Sequence, residues 1–283
     1  PTLDVAEMFY SNNGLPIDED KEWNYEGRYQ TAPVPPNHDY YIEQGAVTAN
    51  LNYYREPRYY AWIGFDKGKW FNMEASDDKS SLVVRNKKGE ISGKSHDSYC
   101  VTGFFAKKLV SYKLVMTESS KTSQETVYPF PIIRLSDIYL CYAEALNECK
   151  SIPDAEVYEY LQKVRDNAGL DTETGSLVQT WAQYSSDPNK PTRKSGLREI
   201  IHTERMIEFS FEGQRYYDLR RWRKALDYMN RPVRGWNVNE ETEEGYYQVR
   251  YIAFRKYLPR DYFWPLKMDD IYKNTNLIQS PLW

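Results

Sequence analysis

The chain has 283 residues, 41% of them hydrophobic, and a formal net charge of −4 at pH 7. This length allows a sizeable core in one large domain or in two closely packed ones. A pI of about 5.6 and a mean hydropathy of −0.78 argue against nucleic acid as a partner and against a membrane-spanning chain. The unusual feature is the aromatic content of 26 Tyr, 8 Trp and 10 Phe, which suits either a contact surface or a Tyr-rich core.

The first part of the chain, residues 1–130, is predicted to be loop-rich with short strands. Pro, Gly and Asn residues interrupt residues 1–56 between clusters of aromatic side chains. Residues 57–73 have the pattern of a strand, a turn at Asp66-Lys67-Gly68 and a second strand, which predicts a β-hairpin. A second pair of short strands is predicted at residues 82–84 and 102–107.

The pattern becomes helical after Pro129-Phe130-Pro131. Ser136 is a candidate N-cap for a first helix. Its inward stripe would contain Ile138, Tyr139, Tyr142, Ala145 and Leu146. Asp154 is a candidate cap for a second helix that ends at Gly169 and carries Val157, Leu161 and Val164 at helical spacing. Together they form an antiparallel helical hairpin of about the length of a tetratricopeptide unit, which needs stacked neighbours.

The rest of the chain is predicted to be mostly helical. One helix begins near Leu197 and is followed, after a bend at Gly213, by another that stops before Pro232. The acidic run at residues 240–244 is interpreted as a solvated loop. The predicted fold is therefore mainly α, built from tetratricopeptide-like helical hairpins with long loops and short β-hairpins. Residues 1–130 and 131–283 are expected to pack intimately as one domain.

Sequence motifs of common enzymes and of metal sites are missing. There is no GxSxG, P-loop or GxGxxG, so no cofactor is expected, and the serine hydrolase, nucleotidase and dehydrogenase classes lack support. The three histidines (His38, His96 and His202) lack neighbours at metal-ligand spacing, so no metal site is expected. The three cysteines (Cys100, Cys141 and Cys149) define no disulfide framework and are interpreted as small core residues.

One acidic series offers an enzymatic alternative. Glu204, Glu208 and Glu212 are four residues apart on a predicted helix, so two of their carboxyl groups could reach the separation used by glycoside hydrolases. Several arginines crowd the same helices, and a carboxylate paired with arginine keeps a low pKa that does not suit proton donation. Structural ion pairs are therefore favoured, and a glycoside hydrolase using Glu204 and Glu208 remains the alternative.

Residues 204–222, ERMIEFSFEGQRYYDLRRW, closely resemble the signature helix pair of the SusD/RagB family of nutrient-binding outer-membrane lipoproteins. Residues 57–61, 134–148, 164–170 and 274–283 are similar to further parts of the family pattern, in the same order. The resemblance covers nearly the whole chain. It implies that the signature residues are scaffold without a ligand role, namely Glu204, Arg205, Glu208, Glu212, Gly213 and Arg215.

The resemblance also implies a location and partners. Members are lipid-anchored on the outer face of the outer membrane, where they bind oligosaccharides and deliver them to a SusC-like TonB-dependent transporter. Some members bind peptides instead, and a scaffold that contacts only the transporter is a third possibility. Family members usually begin with a lipoprotein signal, an anchoring Cys and helical repeats. None of these precedes Pro1, so the chain resembles a C-terminal portion, in which the predicted hairpin would lack its upstream stacking partners.

Candidate ligand contacts follow from chemistry, because ligand loops vary within such a family. Sugar rings stack on Trp and Tyr, while amides and charged groups bind their hydroxyl groups. The loop with Trp23, Asn24, Tyr25 and Tyr29 combines both and is the first candidate. The second is Trp70, Phe71 and Asn72 on the predicted hairpin. The third is Trp236 with Asn237.

Overall fold

The computed structural model describes residues 1–71, 82–94, 99–111, 113, 115–117, 120–124, 127 and 129–283. Helices dominate the second part of the chain, and the strands are short. The prediction of a mainly α fold is confirmed. In the described parts of the chain, no helix has both the length and the apolar composition that a membrane span requires.

The helices of the described residues are short except for α3 and α6, which have 15 residues each. In chain order they are α1 (Leu3–Met8), α2 (Pro57–Trp62), α3 (Leu135–Cys149), α4 (Ala155–Asn167), α5 (Leu177–Tyr184), α6 (Lys194–Glu208), α7 (Gln214–Arg221), α8 (Ala225–Met229), α9 (Glu243–Tyr246) and α10 (Met268–Lys273). Single 3₁₀ turns lie at Asn50–Asn52, Lys190–Thr192 and Pro259–Tyr262.

The strands form two-stranded antiparallel pairs. These are β1 (Thr31–Pro33) with β2 (Val47–Ala49), β3 (Ile63–Phe65) with β6 (Phe104–Ala106), β4 (Lys69–Trp70) with β5 (Leu82–Val83), β7 (Val115–Thr117) with β8 (Ser120–Gln124), and β9 (Val233–Trp236) with β10 (Val249–Ala253). The pair of β9 and β10 was not predicted from the sequence.

The β-hairpin predicted at residues 57–73 is wrong. Pro57 occupies the first turn of α2, where its fixed φ and missing N–H favour a helix start. Arg58, Tyr59 and Tyr60 are all buried, whereas a strand with one solvent face would alternate. The two strands that follow pair elsewhere, β3 with β6 and β4 with β5. Residues 82–84 and 102–107 therefore contain strands, as predicted, but these strands do not pair with each other.

The predicted helical hairpin is present as α3 and α4, which pack against each other. Asp154 caps α4 as predicted, because its Oδ1 accepts a hydrogen bond from the Val157 N–H. Ser136 does not cap α3, which begins at Leu135. The predicted inward stripe of α3 is wrong in part, since Ile138 and Tyr142 are exposed at 54% and 42%, whereas Tyr139 and Leu146 pack against buried hydrophobic residues.

Polar partners explain the inward face of α3. Its buried residues are Leu140, Ala143, Glu144 and Asn147. Glu144 accepts hydrogen bonds from Arg221 and Trp222, and Asn147 donates to the Lys194 carbonyl oxygen. These partners lie far along the chain, so hydrophobic periodicity could not indicate them. Cys141 and Cys149 lie on the exposed side of α3, contrary to their interpretation as core residues.

Two large hydrophobic clusters form the core. The first packs buried side chains from residues 3–65, together with Phe104, against Ile207, Trp236 and Tyr246. The second packs Leu15 among residues of α3, α4, α5 and α6. A smaller cluster around Leu219 packs α7 against α8. Both large clusters draw side chains from either side of residue 130, so the two predicted parts share their cores.

Candidate functional site

A pocket of about 410 Å³ lies beside Trp23, in the first part of the chain. We call it the Trp23 pocket. Its lining is Asn12, Asn13, Asp20, Glu22, Trp23, Asn24, Asn50, Tyr53 and Tyr54. The pocket therefore combines three aromatic rings with four amides and two carboxylates.

Contacts with Tyr53 and Arg55 hold the Trp23 ring in place. Its indole N–H donates to the Tyr53 carbonyl oxygen at 3.2 Å, and the Arg55 guanidinium lies 5.7 Å from the ring centre. Arg55 is itself buried and is fixed by hydrogen bonds to the carbonyl oxygens of Ala6 and Phe9, each at 2.7 Å. The ring is half-buried, so one side of it remains a rigid surface for a ligand.

Amides and carboxylates surround this ring. Asp20 accepts hydrogen bonds from Ser11 Oγ at 2.6 Å and from Asn13 Nδ2 at 3.1 Å, which fixes its carboxylate. Asn24 Oδ1 accepts from the Gly27 N–H at 3.0 Å. The exposed Glu22 carboxylate stands next to Trp23 in the chain. The rim therefore presents hydrogen-bonding groups, several of them held in place, to a ligand lying on the ring.

Tyr54 projects beside this pocket from a left-handed backbone conformation, with φ 53°. A non-glycine residue in this region is strained and needs support from its surroundings. The support comes from His38, whose Nε2 accepts from the Tyr54 N–H at 3.2 Å and whose ring meets the Tyr54 ring edge-on at 4.6 Å. The Tyr54 side chain is 49% exposed.

A second pocket, of about 350 Å³, lies at Trp70. We call it the Trp70 pocket. Its lining is Tyr40, Tyr41, Pro57, Tyr60, Ala61, Phe65, Lys69, Trp70, Phe71, Lys107, Val110 and Ser111. Tyr41 and Tyr60 stack with ring centres 4.0 Å apart and planes 6° apart. Lys107 Nζ donates to the carbonyl oxygens of Tyr60 at 2.7 Å and Lys69 at 2.9 Å.

The segment at residues 38–41 joins the two pockets. His38 supports Tyr54 at the Trp23 pocket, and its carbonyl oxygen accepts from the Tyr41 N–H at 3.1 Å at the edge of the Trp70 pocket. Within the described part of residues 1–111, the exposed aromatic side chains are Tyr40, Tyr54 and Phe71, at 51%, 49% and 47%. Each of the three lines one of the two pockets. The exposed rings of this part of the chain are thus gathered at one pair of pockets.

The first two groups of candidate residues do not all line the same pocket. Trp23 and Asn24 line the Trp23 pocket, and Trp70 and Phe71 line the Trp70 pocket. Asn72, like His96, lies outside the described residues.

Tyr25 and Tyr29, from the first candidate loop, lie apart from both pockets. Tyr25 lines a separate charged cleft of about 460 Å³, and the Arg28 guanidinium lies 3.8 Å from its ring centre. Tyr29 donates its hydroxyl to Glu7 and meets Trp236 edge-on at 5.8 Å. Of the first candidate loop, only Trp23 and Asn24 therefore line the Trp23 pocket.

The ligand-facing role predicted for Trp236 and Asn237 is contradicted by their burial, at 1% and 5% exposure. Trp236 packs against Phe104 and Tyr247 in the first hydrophobic cluster. Sequence reasoning missed other pocket residues, namely Asn12, Asn13, Tyr40, Tyr41, Asn50 and Tyr54. The available signal was the amide content of Asn12 and Asn13, which are among the Asn residues that interrupt residues 1–56.

Glu204 and Glu208 are held in a buried ion-pair cluster. The Arg58 guanidinium lies between them, with Nη1 at 2.7 Å from Glu204 Oε1 and 3.1 Å from Glu208 Oε2. Arg134 adds a second partner to Glu208 at 2.8 Å. Burial raises the pKa of Glu208, but the charges of Arg58 and Arg134 outweigh it, so this pKa is lowered. Such a carboxyl group stays ionised and is a poor proton donor.

The described residues contain no group of three or more His, Cys, Asp and Glu side chains that could hold a metal ion.

Comparison with known proteins places this architecture in one family. The family model described as the SusD family matches residues 1–283. SusD-like protein P2 of Formosa agariphila is 30% identical over 148 residues, which is 52% of this chain and 24% of that protein. SusD-like protein P25 of the same organism is 35% identical over 109 residues, 38% of this chain and 18% of that protein.

Solved structures agree with this match. The selenomethionine form of BT4246 superposes with a TM-score of 0.81 at 27% identity, covering 100% of this chain and 46% of that one. A SusD-like carbohydrate-binding protein from Bacteroides fragilis, BF0978, has a TM-score of 0.61 at 22% identity, covering 98% of this chain and 48% of that one. The chain thus spans less than a quarter of the two curated relatives and about half of these two solved chains.

Proposed function

This chain belongs to the SusD family, and we propose that it binds oligosaccharides without chemical conversion, at the Trp23 pocket and the Trp70 pocket. The observation that carries the proposal is the gathering of Tyr40, Tyr54 and Phe71 at these two pockets. A SusD-like protein of the same fold is described as carbohydrate-binding, which is consistent with it.

The chemistry of the two pockets suits a sugar. The C–H faces of a pyranose ring are apolar and pack on flat aromatic rings, whereas its hydroxyl groups need donors and acceptors at the edge of the ring. Trp23 supplies such a ring, and Asn24 and Glu22 supply edge groups of both kinds, while Asp20 is buried at 4% exposure and positions Asn13. Because Trp23 and Asp20 are fixed by the surrounding backbone and side chains, a bound sugar meets a preorganised surface.

The absence of catalysis is part of the proposal. Glycoside hydrolysis needs one carboxyl group with a raised pKa and a second one near the scissile bond. Glu204 and Glu208 are buried at 0% and 3% exposure and are bound by arginines. Release of reducing ends that disappears in Glu208→Gln, with the fold intact, would contradict the proposal.

The cellular role follows from family membership. We infer that the protein acts at the outer face of the outer membrane through a lipid anchor and passes its ligand to a SusC-like TonB-dependent transporter. Co-purification of the transporter with the tagged protein from detergent-solubilised outer membranes is the expected result. Binding of the transporter without any sugar affinity would instead support the scaffold alternative.

Isothermal titration of the 283-residue chain against panels of oligosaccharides and peptides tests the ligand class. We expect binding to at least one oligosaccharide, weakened about tenfold by Trp23→Ala and by Tyr54→Ala, or ~1.4 kcal/mol each. Trp264→Ala and Tyr272→Ala are matched controls, because these rings are exposed at 71% and 75% but line neither pocket. Binding of peptides alone, or equal losses in the controls, would overturn the proposal.

A further inference from the structure

The two pockets differ in the sign of their charge. The described lining of the Trp23 pocket contains the carboxylates Asp20 and Glu22 and no Lys or Arg. The described lining of the Trp70 pocket contains Lys69 and Lys107 and no Asp or Glu. The described linings of the two pockets therefore carry charged side chains of opposite sign, which favours a different group of a ligand in each.

Lys107 is the half-buried cation of the Trp70 pocket. Its Nζ donates to two backbone carbonyl oxygens, of Tyr60 at the end of α2 and of Lys69 in β4, and stands 5.7 Å from the centre of the Trp70 ring. An ammonium group has three N–H donors, so one remains after these two bonds. No carboxylate of the described residues lies within ion-pair distance of this nitrogen. The ammonium charge is thus oriented but not neutralised.

The adjacent lysine, Lys108, differs from Lys107 because its charge is neutralised by a carboxylate. Lys108 is also largely buried, and its Nζ forms an ion pair with Glu212. Burial alone lowers the pKa of Lys107, to about 8, so its ammonium is charged at neutral pH, and none of the described residues supplies a compensating anion. A half-buried cation of this kind is stabilised by any anion that reaches it, since the low dielectric strengthens their attraction.

From these contacts we propose that the Trp70 pocket receives an anionic sugar residue, one that carries a carboxylate or a sulfate group, and that Lys107 selects it. The sugar ring lies against Trp70 and the stacked pair of Tyr41 and Tyr60, while its anionic group accepts a charge-assisted hydrogen bond from Lys107 Nζ. This inference rests on the proposed oligosaccharide binding and adds the chemical class of the ligand.

A purely structural role is the competing explanation for Lys107. Its bonds to the Tyr60 and Lys69 carbonyl oxygens join α2 to β4 and could serve only to hold the pocket together. In that case removal of the ammonium would weaken neutral and acidic sugars alike. Selection of an anion by Lys107 predicts a loss of affinity that is confined to acidic sugars. The ratio of acidic to neutral affinity therefore distinguishes the two explanations.

The test is isothermal titration of the 283-residue chain at about pH 6.5, below the Lys107 pKa of about 8. The ligands are trisaccharides of glucose, galactose and mannose, each in neutral, uronic-acid and sulfated forms. We expect at least one acidic form to bind about tenfold more tightly than its neutral counterpart. Lys107→Met removes this preference, measured as the ratio of acidic to neutral affinity, whereas Lys107→Arg keeps it.

Two controls make the result specific. Lys267→Met removes one positive charge from a remote, exposed site and should leave the acidic preference unchanged. Trp23→Ala should weaken neutral sugars while the preference persists. The acidic form that gains affinity identifies carboxylate or sulfate as the recognised group.

Two results would overturn the inference, and both differ from a failure of the proposed function. If neutral sugars bind in a way that depends on Trp23 and no trisaccharide set shows an acidic preference, the inference is overturned and the proposed function stands. Equal loss of neutral and acidic binding in Lys107→Met assigns Lys107 a structural role. Absence of binding to every sugar would overturn the proposed function as well.

Discussion

Arg58 is surrounded by three carboxylates, one from the nearby Glu56 and two from α6, far along the chain. Its guanidinium lies 2.7 Å from Glu56, 2.7 Å from Glu204 and 3.1 Å from Glu208, and all four residues are buried. Breaking a buried ion pair is costly because the remaining charges lose their compensation without regaining water. Burial and charge therefore explain Glu204 and Glu208 of the signature helix.

Arg58→Met should lower the free energy of unfolding by about 3–5 kcal/mol, since it leaves buried carboxylates without their cation. Urea unfolding followed by circular dichroism measures the change. Arg193→Met is the matched control, because the ion pair of Arg193 with Asp187 is exposed and should contribute far less to stability. Equal costs for the two substitutions would contradict the stabilising role of the Arg58 cluster.

Asp171 gives the stability of the protein a dependence on acid. Burial raises its pKa, but hydrogen bonds from Arg165 at 2.6 and 2.8 Å and from Thr180 at 2.7 Å outweigh burial, and the pKa is lowered. A lowered pKa in the folded state means that Asp171 stabilises the protein above its unfolded pKa. This contribution is lost as pH falls through the lower, folded value.

Asp171→Asn tests this contribution while keeping the backbone conformation, because Asn tolerates the left-handed φ of 59° at this position. The substitution should lower the free energy of unfolding by about 1–3 kcal/mol near pH 6. The difference between the two proteins should shrink as pH falls through the lowered pKa of folded Asp171, where protonation removes the wild-type advantage. A difference independent of pH in urea unfolding would refute the electrostatic explanation.

Among the elements, α4 shows a helix start that the sequence predicts correctly. Asp154 accepts from the Val157 N–H and also forms an ion pair with Lys150 at 2.6 Å. Asp154→Ala should lower the free energy of unfolding, because it removes the cap, whereas Asp154→Asn keeps a capping oxygen and should lower it clearly less. Equal losses in urea unfolding would assign the effect to the exposed ion pair instead of the cap.

Elements were predicted well where local signals decide and poorly where distant partners decide. The Asp154 cap and the α4 stripe of Val157, Leu161 and Val164 are local, and the structure has both. The inward face of α3 depends on Glu144 meeting Arg221 and Trp222. The aromatic run of α2 resembled a strand, because an isolated six-residue segment carries too little periodicity to separate helix from strand.

The residues of the candidate site were likewise predicted where a local signal was present and missed where distant residues meet. Trp23 and Asn24 were found because one loop carries both an aromatic ring and an amide. Asn12 and Tyr54 were not predicted, because only the fold brings them together. The Asn12 N–H donates to the Tyr54 carbonyl oxygen at 2.9 Å. Trp236 was a wrong candidate, since composition does not distinguish a surface tryptophan from a core one at 1% exposure.

At the scale of the whole molecule, the ion pairs of Glu204 join the two parts of the chain. Glu204 on α6 binds Arg58 from the first part at 2.7 Å and Arg165 of α4 at 3.3 Å. Arg165 in turn donates to the Gly14 carbonyl oxygen at 2.8 Å. Because both large hydrophobic clusters also cross residue 130, neither part retains a complete core without the other.

We therefore expect the chain to unfold as one cooperative unit, with a calorimetric enthalpy equal to the van't Hoff enthalpy in a thermal scan. Glu204→Ala should shift this single transition downward, on the order of 10 °C, because about 3–5 kcal/mol is lost when Arg58 and Arg165 lose a shared carboxylate. Glu26→Ala, at an exposed position, should leave the transition within about 1 °C. If the two parts were separate domains, Glu204→Ala would instead split the transition in two, with the α3–α6 cluster unfolding apart from the cluster that carries the Trp23 and Trp70 pockets.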